Sequence, residues 1–412
     1  MEATMKQKYI WNTLGGMSSA LMSIGLLIFV NRILGGDKGG EFSFAYSHAQ
    51  LMYSIAAFEV RPMQSTDIKE RYSFSSYHSF RLVTCFIMTI IATIYALLWG
   101  KDITVLLIVL SLYKMTEAYA DVFGGYFQQK DRIDYSGKAL ALRTFGASAG
   151  FVIILFWTRN INIAVAFMLV FSGICLLTYD YRIWRKMTDE KVVFSTQKLV
   201  GLIKDTIPLF FSTFALMYLN NAPKYAINRY CSYEIQNKYN ILFMPAFVIN
   251  MMAIFVFRPM LTSMAEKWNE GRKKELVQDI KKILLIIVML TGICLLGATI
   301  LGLPILSMVY TVNLDGCLGI LLLIMVYGGL NATVIFLTYL LTIMQKQRHL
   351  LLGYGLGLIS AAVFSPIAVK FGGMLGASIA VNLSIFVIVL DLVLVSLYGL
   401  KHFPKKRSAK CR

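Results

Sequence analysis

Apolar runs of about 20 residues, each long enough to cross a hydrocarbon core of roughly 30 Å as a helix, follow one another along this chain with little between them. About twelve can be counted, near residues 10 to 32, 41 to 60, 80 to 99, 103 to 126, 139 to 158, 161 to 181, 206 to 224, 238 to 258, 283 to 304, 317 to 343, 350 to 369 and 374 to 399. In lipid the backbone must satisfy its own polar groups, which such runs do as helices. The expected fold class is an all-α polytopic membrane protein with about 12 transmembrane helices. Composition agrees: 57% of the 412 residues are hydrophobic and 15% charged, with a mean hydropathy of +0.65. Soluble domains do not look like this.

Charge placement orients the spans. Lys6 and Lys8 precede the first run and no small-residue cleavage site follows it, so it reads as a first span rather than a signal peptide. With alternating loops, about 31 of the Lys and Arg residues fall on the cytoplasmic side and about eight outside. An even number of spans follows, with both termini cytoplasmic. The net charge of +18 is then mostly topology plus attraction to anionic headgroups, and no nucleic acid is needed to explain it.

The chain also repeats itself. Ala56-Ala-Phe-Glu-Val-Arg-Pro-Met63 returns as Ala253-Ile-Phe-Val-Phe-Arg-Pro-Met260, at the 197-residue offset that separates Arg61 from Arg258. In the same register Asn31-Arg32 falls on Asn228-Arg229 and Asp37 on Glu234. Duplication is the expected origin. Six spans per half is an even number, so the halves share one orientation and form a parallel repeat. The expected organisation is an N-terminal six-helix bundle over residues 1–181 and a cytoplasmic linker over 182–205. A C-terminal bundle over 206–400 and a basic tail over 401–412 complete it.

Polar residues inside the spans carry the functional signal. The first span holds Asn12, Gly15, Gly16, Ser18, Ser19 and Ser23, a set suited to close helix packing or to a wet cavity. Gly35-Gly-Asp-Lys-Gly-Gly40 reads as an outer turn. Arg61 and Arg258, each before a proline at an inner span end, are either headgroup-snorkelling anchors or a pair of guanidinium forks around one axis, suited to a pyrophosphate. Gln64 opens the following loop. In the fourth span Lys114, Glu117, Asp121 and Gln128 fall within about 60° on a helical wheel. Each charge would cost about 2.5 to 3.5 kcal/mol facing lipid at mid-membrane, so the stripe must face the bundle interior, as a structural Lys114–Glu117 pair or as part of a substrate or ion path. Asn220, Asn221 and Lys224 flank Pro223, where a broken helix would mark a substrate path. Residues 265–282 read as an amphipathic surface helix, and Asp391 as a buried residue with a structural partner. The six cysteines show no ligand spacing and read as core packing. His48, His78, His349 and His402 lie near no carboxylate at ligand spacing, so neither a metal site nor a cofactor is expected.

Several of these stretches taken together resemble the Wzx-type polysaccharide flippases of the multidrug/oligosaccharidyl-lipid/polysaccharide transporter superfamily. They are Arg61-Pro-Met-Gln-Ser-Thr-Asp67 with Tyr77 and Arg81, Lys114-Met-Thr-Glu117 to Asp121 and Gln128, Asn221-Ala-Pro-Lys-Tyr225, and Phe257-Arg-Pro259 before Trp268. The likeness runs from about residue 10 to 270. It implies two six-helix bundles forming a V-shaped cavity in the bacterial cytoplasmic membrane. It further implies alternating access that carries an undecaprenyl-pyrophosphate-linked oligosaccharide outward, with Arg61 and Arg258 as lumenal cations. The pathway's polysaccharide polymerase and glycosyltransferases would be partners, besides membrane lipid. The first span lacks the basic residues that line the cavity in the related lipid II flippases.

Two other classes compete. A cation-coupled multidrug antiporter would share the fold, but should carry an acidic residue within the first or seventh span, and neither does. A membrane glycosyltransferase, polymerase or acyltransferase would need a large loop with donor-binding residues, whereas no outer loop here exceeds about fifteen residues. No enzyme is expected.

Overall fold

The computed structural model describes residues 5–67, 70–190, 193–257, 260–346 and 349–403. Every regular element among them is helical. In chain order they are α1 (Met5–Leu34), α2 (Gly36–Ala57), α3 (Val60–Thr66), α4 (Phe74–Trp99), α5 (Thr104–Gln129), α6 (Ile133–Thr158), α7 (Ile161–Cys175), α8 (Arg182–Met187) and α9 (Thr196–Tyr230). They continue as α10 (Tyr233–Phe257), α11 (Leu261–Asn269), α12 (Lys273–Gly297), α13 (Leu303–Tyr310), α14 (Leu318–Ile343) and α15 (Leu350–Lys401). Short π-helical turns join α7 to α8 and α12 to α13. Among the described residues 9 continuous helices are long and apolar enough to cross a membrane. One of them, α15, is kinked at Gly373, whose φ of 51° and ψ of −130° are not helical. The protein is an all-α polytopic membrane protein.

The chain divides into two compact units, Met1–Phe214 and Ala215–Arg412. In the first, α5 is the central helix, packed against α2, α3, α4, α6 and α7. In the second, α14 holds that position, against α10, α11, α12 and α15. Helix α1 lies along α6, and small residues set that approach. A Cβ on Gly15 would come within 2.8 Å of the Gly137 carbonyl, and one on Gly137 would strike the backbone of Trp11 and Asn12. The small-residue set in the first span therefore packs a helix pair, at least at Gly15. An aromatic core containing Phe74, Tyr77, Phe123, Tyr126 and Trp184 ties α4, α5 and α8 together.

Several expectations need correction. The outer turn at 35–40 shrinks to Gly35, at φ 91°, and α2 begins at the next residue. The 182–205 linker is largely helical, since α8 ends at Met187 and α9 starts at Thr196. It is also tied down: Ser75 Oγ donates to the Val193 carbonyl at 2.8 Å, and the Glu190 carboxylate accepts from the Ser75 N–H at 3.1 Å. Pro223 does not break its helix, because α9 continues to Tyr230. The surface helix expected over 265–282 is two elements, divided at Gly271 (φ 79°), where α11 ends and the span helix α12 begins. Trp268, Leu276 and Ile280 are buried, so the apolar face is real but belongs to a helical corner. Asp391 Oδ2 is buried without a hydrogen-bond partner among the described residues, and the charged group that acts on this carboxylate is His349.

Candidate functional site

The site grows from an interruption in the backbone. Helix α2 stops at Ala57, and Phe58 and Glu59 both adopt left-handed conformations, at φ 44° and 50°. Such conformations cost L-residues roughly 1–2 kcal/mol each. Phe58 is held there by stacking on Phe210, with ring centres 4.0 Å apart. The chain then re-enters helix as α3, with Pro62 in its first turn, where a missing N–H leaves no bond unmade. Arg61 thus stands on a separate short helix, turned toward α5.

The break leaves carbonyls at the end of α2 without helical partners. The Ala56 carbonyl accepts from Thr84 Oγ1 at 2.7 Å and from Arg81 Nη1 at 2.5 Å. Arg81 is fully buried, and its Nη2 lies 3.6 Å from Asp121 Oδ2. The other oxygen of Asp121 accepts from Arg61 Nη1, and Arg61 Nη2 donates to Ser136 Oγ at 3.0 Å. One carboxylate on α5 is therefore shared by two arginines, one enclosed and one 31% exposed. The exposed one borders a cavity of about 460 Å³, lined also by Tyr53, Glu59, Ser65, Asp121 and Gln128.

Among the sequence-predicted residues, this cavity gathers Arg61, Asp121 and Gln128. It does not gather Gln64, which is completely buried and donates to the Val122 carbonyl at 3.1 Å. Gly125 makes room for it, since a Cβ there would strike the Gln64 amide. Expected as a substrate contact, it is enclosed beside α5 in this structure. The fourth-span stripe is split. Lys114 Nζ pairs with Glu117 Oε2 at 2.6 Å, and Tyr113 donates to the other Glu117 oxygen at 2.7 Å. Lys114 also sits 4.8 Å from the Tyr46 ring centre. These two residues form an enclosed ion pair away from the cavity wall. Arg258 lies outside the described residues, so the expected pairing of two arginines is not visible in the structure.

In the second unit Asn220 accepts from the Tyr327 hydroxyl, and Asn221 donates to the Met217 carbonyl at 2.9 Å within its own helix. Lys224 is buried, with Nζ 4.8 Å from the Phe243 ring centre. No carboxylate forms a salt bridge with it among the described residues. Among these residues there is also no cluster of three or more His, Cys, Asp or Glu fit to hold a metal.

Sequence reasoning passed over Tyr53, Glu59 and Ser136 as site residues, and placed Arg81 only through a family likeness. Nothing in local spacing connects Arg81 to Asp121. The readable signal was a lone arginine opening an otherwise apolar run, which demands a buried counter-ion.

Just after α3, Asp67 gathers donors from the residues that lead into α4. Its carboxylate accepts from the N–H groups of Arg71 and Tyr72, each at 2.9 Å, and from the Tyr77 hydroxyl at 3.0 Å. Partial burial pushes its acidity the other way, but these donors and the nearby Arg71 charge outweigh it and hold the carboxyl below its ordinary value. Tyr72 in turn donates to Asp205 of α9 at 2.9 Å.

This fold is that of membrane transporters. The chain is similar to an inward-facing multidrug resistance MATE family transporter of the MOP superfamily, with a TM-score of 0.61 and 12% identity over 98% of this chain and 95% of that one. It is likewise similar to a MOP superfamily transporter from Pyrococcus furiosus, with a TM-score of 0.58 and 14% identity over 97% and 96% of the two chains. A family model described as "Polysaccharide biosynthesis protein" matches residues 5–265, and the chain belongs to that family. It is 23% identical over 395 residues to the capsular polysaccharide biosynthesis protein CapF of Staphylococcus aureus, covering 93% of this chain and 97% of that protein. The protein is a multi-pass membrane protein of the polysaccharide biosynthesis family, with the fold of MOP-superfamily transporters.

Proposed function

We propose that this protein is a flippase that moves an undecaprenyl-pyrophosphate-linked oligosaccharide repeat unit from the inner to the outer leaflet of the bacterial cytoplasmic membrane. Twelve spans in two bundles, over residues 1–181 and 206–400 with 182–205 between them, would work by alternating access with both termini inside. Polysaccharide polymerase and glycosyltransferases of the same pathway would act on either side of the step. The observation that carries this reading is Arg61: a guanidinium on a cavity wall, in a chain of the polysaccharide biosynthesis family, fits the phosphate end of a lipid-linked glycan. Asn220, Asn221 and Lys224 would contact the cargo from the second unit. The fold alone equally favours a cation-coupled multidrug efflux antiporter.

Complementation separates the readings. A charge-assisted hydrogen bond is worth roughly 1.5 to 3 kcal/mol net, so losing the fork of Arg61 should weaken capture about ten- to a hundredfold. Arg61→Lys keeps the positive charge and removes the planar fork. It should lose most of its ability to rescue polysaccharide export in a flippase-deficient strain at normal membrane abundance, and Arg258→Lys should behave alike. Full rescue by both would reduce these arginines to headgroup anchors. Drug resistance from the wild type, without glycan rescue, would favour the antiporter.

A further inference from the structure

Asp121 already occupies Arg61, so any anion taken up by Arg61 has to displace a carboxylate. If Asp121 had no other counter-ion, that displacement would strand a largely buried negative charge, 12% exposed. Breaking a buried ion pair by removing one partner is strongly destabilising, which would cancel what the anion gains. The geometry differs from that case. Asp121 presents Oδ1 to Arg61 and Oδ2 to Arg81, and Arg81 is a fully buried, permanently charged group. Two of its nitrogens, Nε and Nη2, have no hydrogen-bond partner among the described residues. Its third, Nη1, is fixed to the Ala56 carbonyl, so Arg81 cannot leave with a ligand.

We infer that Arg81 is a positioning residue for anion capture: it retains Asp121 as an ion pair whenever Arg61 is handed over to a phosphate group. Asp121 is then a competitor that holds Arg61 in place between cargoes, and Arg61 exchanges between one carboxylate and one pyrophosphate. The exchange conserves charge inside the protein and needs no proton on Asp121. Three features assign the moving part. Arg61 is the exposed partner of the two, it borders the cavity, and its other hydrogen bond is to a neutral hydroxyl, Ser136. Glu59, on the same wall, adds a negative charge that would repel an anion, which makes the standing charge of Arg81 more necessary. This inference rests on the reading of Arg61 as the phosphate contact.

The test is titration calorimetry of the full-length protein in detergent with inorganic pyrophosphate, with thermal melting as the check on folding. Arg61→Ala should abolish the heat of binding. Arg81→Gln leaves Asp121 only Arg61 to pair with, and should weaken pyrophosphate binding at least about tenfold, whereas Arg81→Lys, which keeps the charge, should stay near wild type. Asp121→Asn should bind pyrophosphate more tightly than wild type, since nothing then competes for Arg61. The deciding variant is Arg81→Gln with Asp121→Asn, which should recover the affinity lost in Arg81→Gln. A purely structural Arg81 would give no such recovery. Failure of the double variant to recover, or weaker binding by Asp121→Asn alone, overturns the exchange even if Arg81→Gln fails to fold. Absence of any Arg61-dependent binding in wild type overturns the phosphate reading itself, and the exchange with it.

Discussion

A missing methyl group on α5 makes room for the hydroxyl that Arg61 holds. A Cβ at Gly124 would stand 3.0 Å from Ser136 Oγ, a tight approach, and 3.5 Å from Arg61 Nη1, an ordinary one, so glycine chiefly leaves room for the Ser136 hydroxyl that accepts from Arg61. Gly124→Ala should therefore disturb the Arg61–Ser136 bond while adding a better helix former. The expected outcome is unchanged or slightly raised thermal stability with glycan export reduced about tenfold, in line with the loss of one bond to a charged group. Undiminished export with a normal melting curve would show the Ser136 contact to be dispensable. Much of this site was invisible in sequence for a plain reason. Lys114 and Glu117 stand one helical turn apart, and their pairing can be read from spacing. Arg61, Arg81 and Asp121 come from three different helices and meet only through packing. The burial of Gln64 was equally hidden, because a polar residue after an Arg-Pro pair looks solvated, while here it fills the groove beside Gly125.

Elements were more legible than their ends. The long apolar runs locate the helices, but boundaries depended on single residues with special backbone geometry, Gly35, Phe58–Glu59, Gly271 and Gly373. Phe58 and Glu59 are not residues that announce a left-handed turn, so α3 could not be separated from α2 by sequence. The loop after α3 offers a test at this scale. Asp67 has a folded-state acidity held below its ordinary value, and a depressed carboxylate stabilises the fold above its unfolded value near 3.9. That contribution is lost as pH falls through the lower folded value. Asp67→Asn should cost about 1–2 kcal/mol at pH 7, measured by unfolding in detergent. The gap from wild type should close as pH is taken below about 4. A gap that stays constant with pH would mean that the loop is held by Tyr72 and Tyr77 without help from the Asp67 charge.

At the scale of the whole molecule the question is how many helices cross the membrane, and it turns in part on α2. This helix overlaps the apolar run at 41 to 60 but carries Asp37, Lys38, Glu41, His48 and Gln50 and is not among the 9 helices apolar enough to cross, while α4, α5, α6 and the stretch from α7 through α8 all qualify as spans. Yet α2 is packed against α1, α4 and α5, and Phe42, Phe44, His48, Leu51 and Met52 along it are buried. A helix enclosed by its neighbours has little contact with lipid and can cross a membrane with polar residues aboard. If α2 crosses, then it and the four spans after it place Lys38 and Lys186, both exposed, on opposite sides. If it lies within one leaflet, the two residues share a side. In a cysteine-free background of intact cells, an impermeant thiol reagent should label Lys38→Cys and leave Lys186→Cys untouched until the cells are opened. Labelling of both from outside, or of neither, would remove α2 from the spans and with it the even count that makes the two halves a parallel repeat.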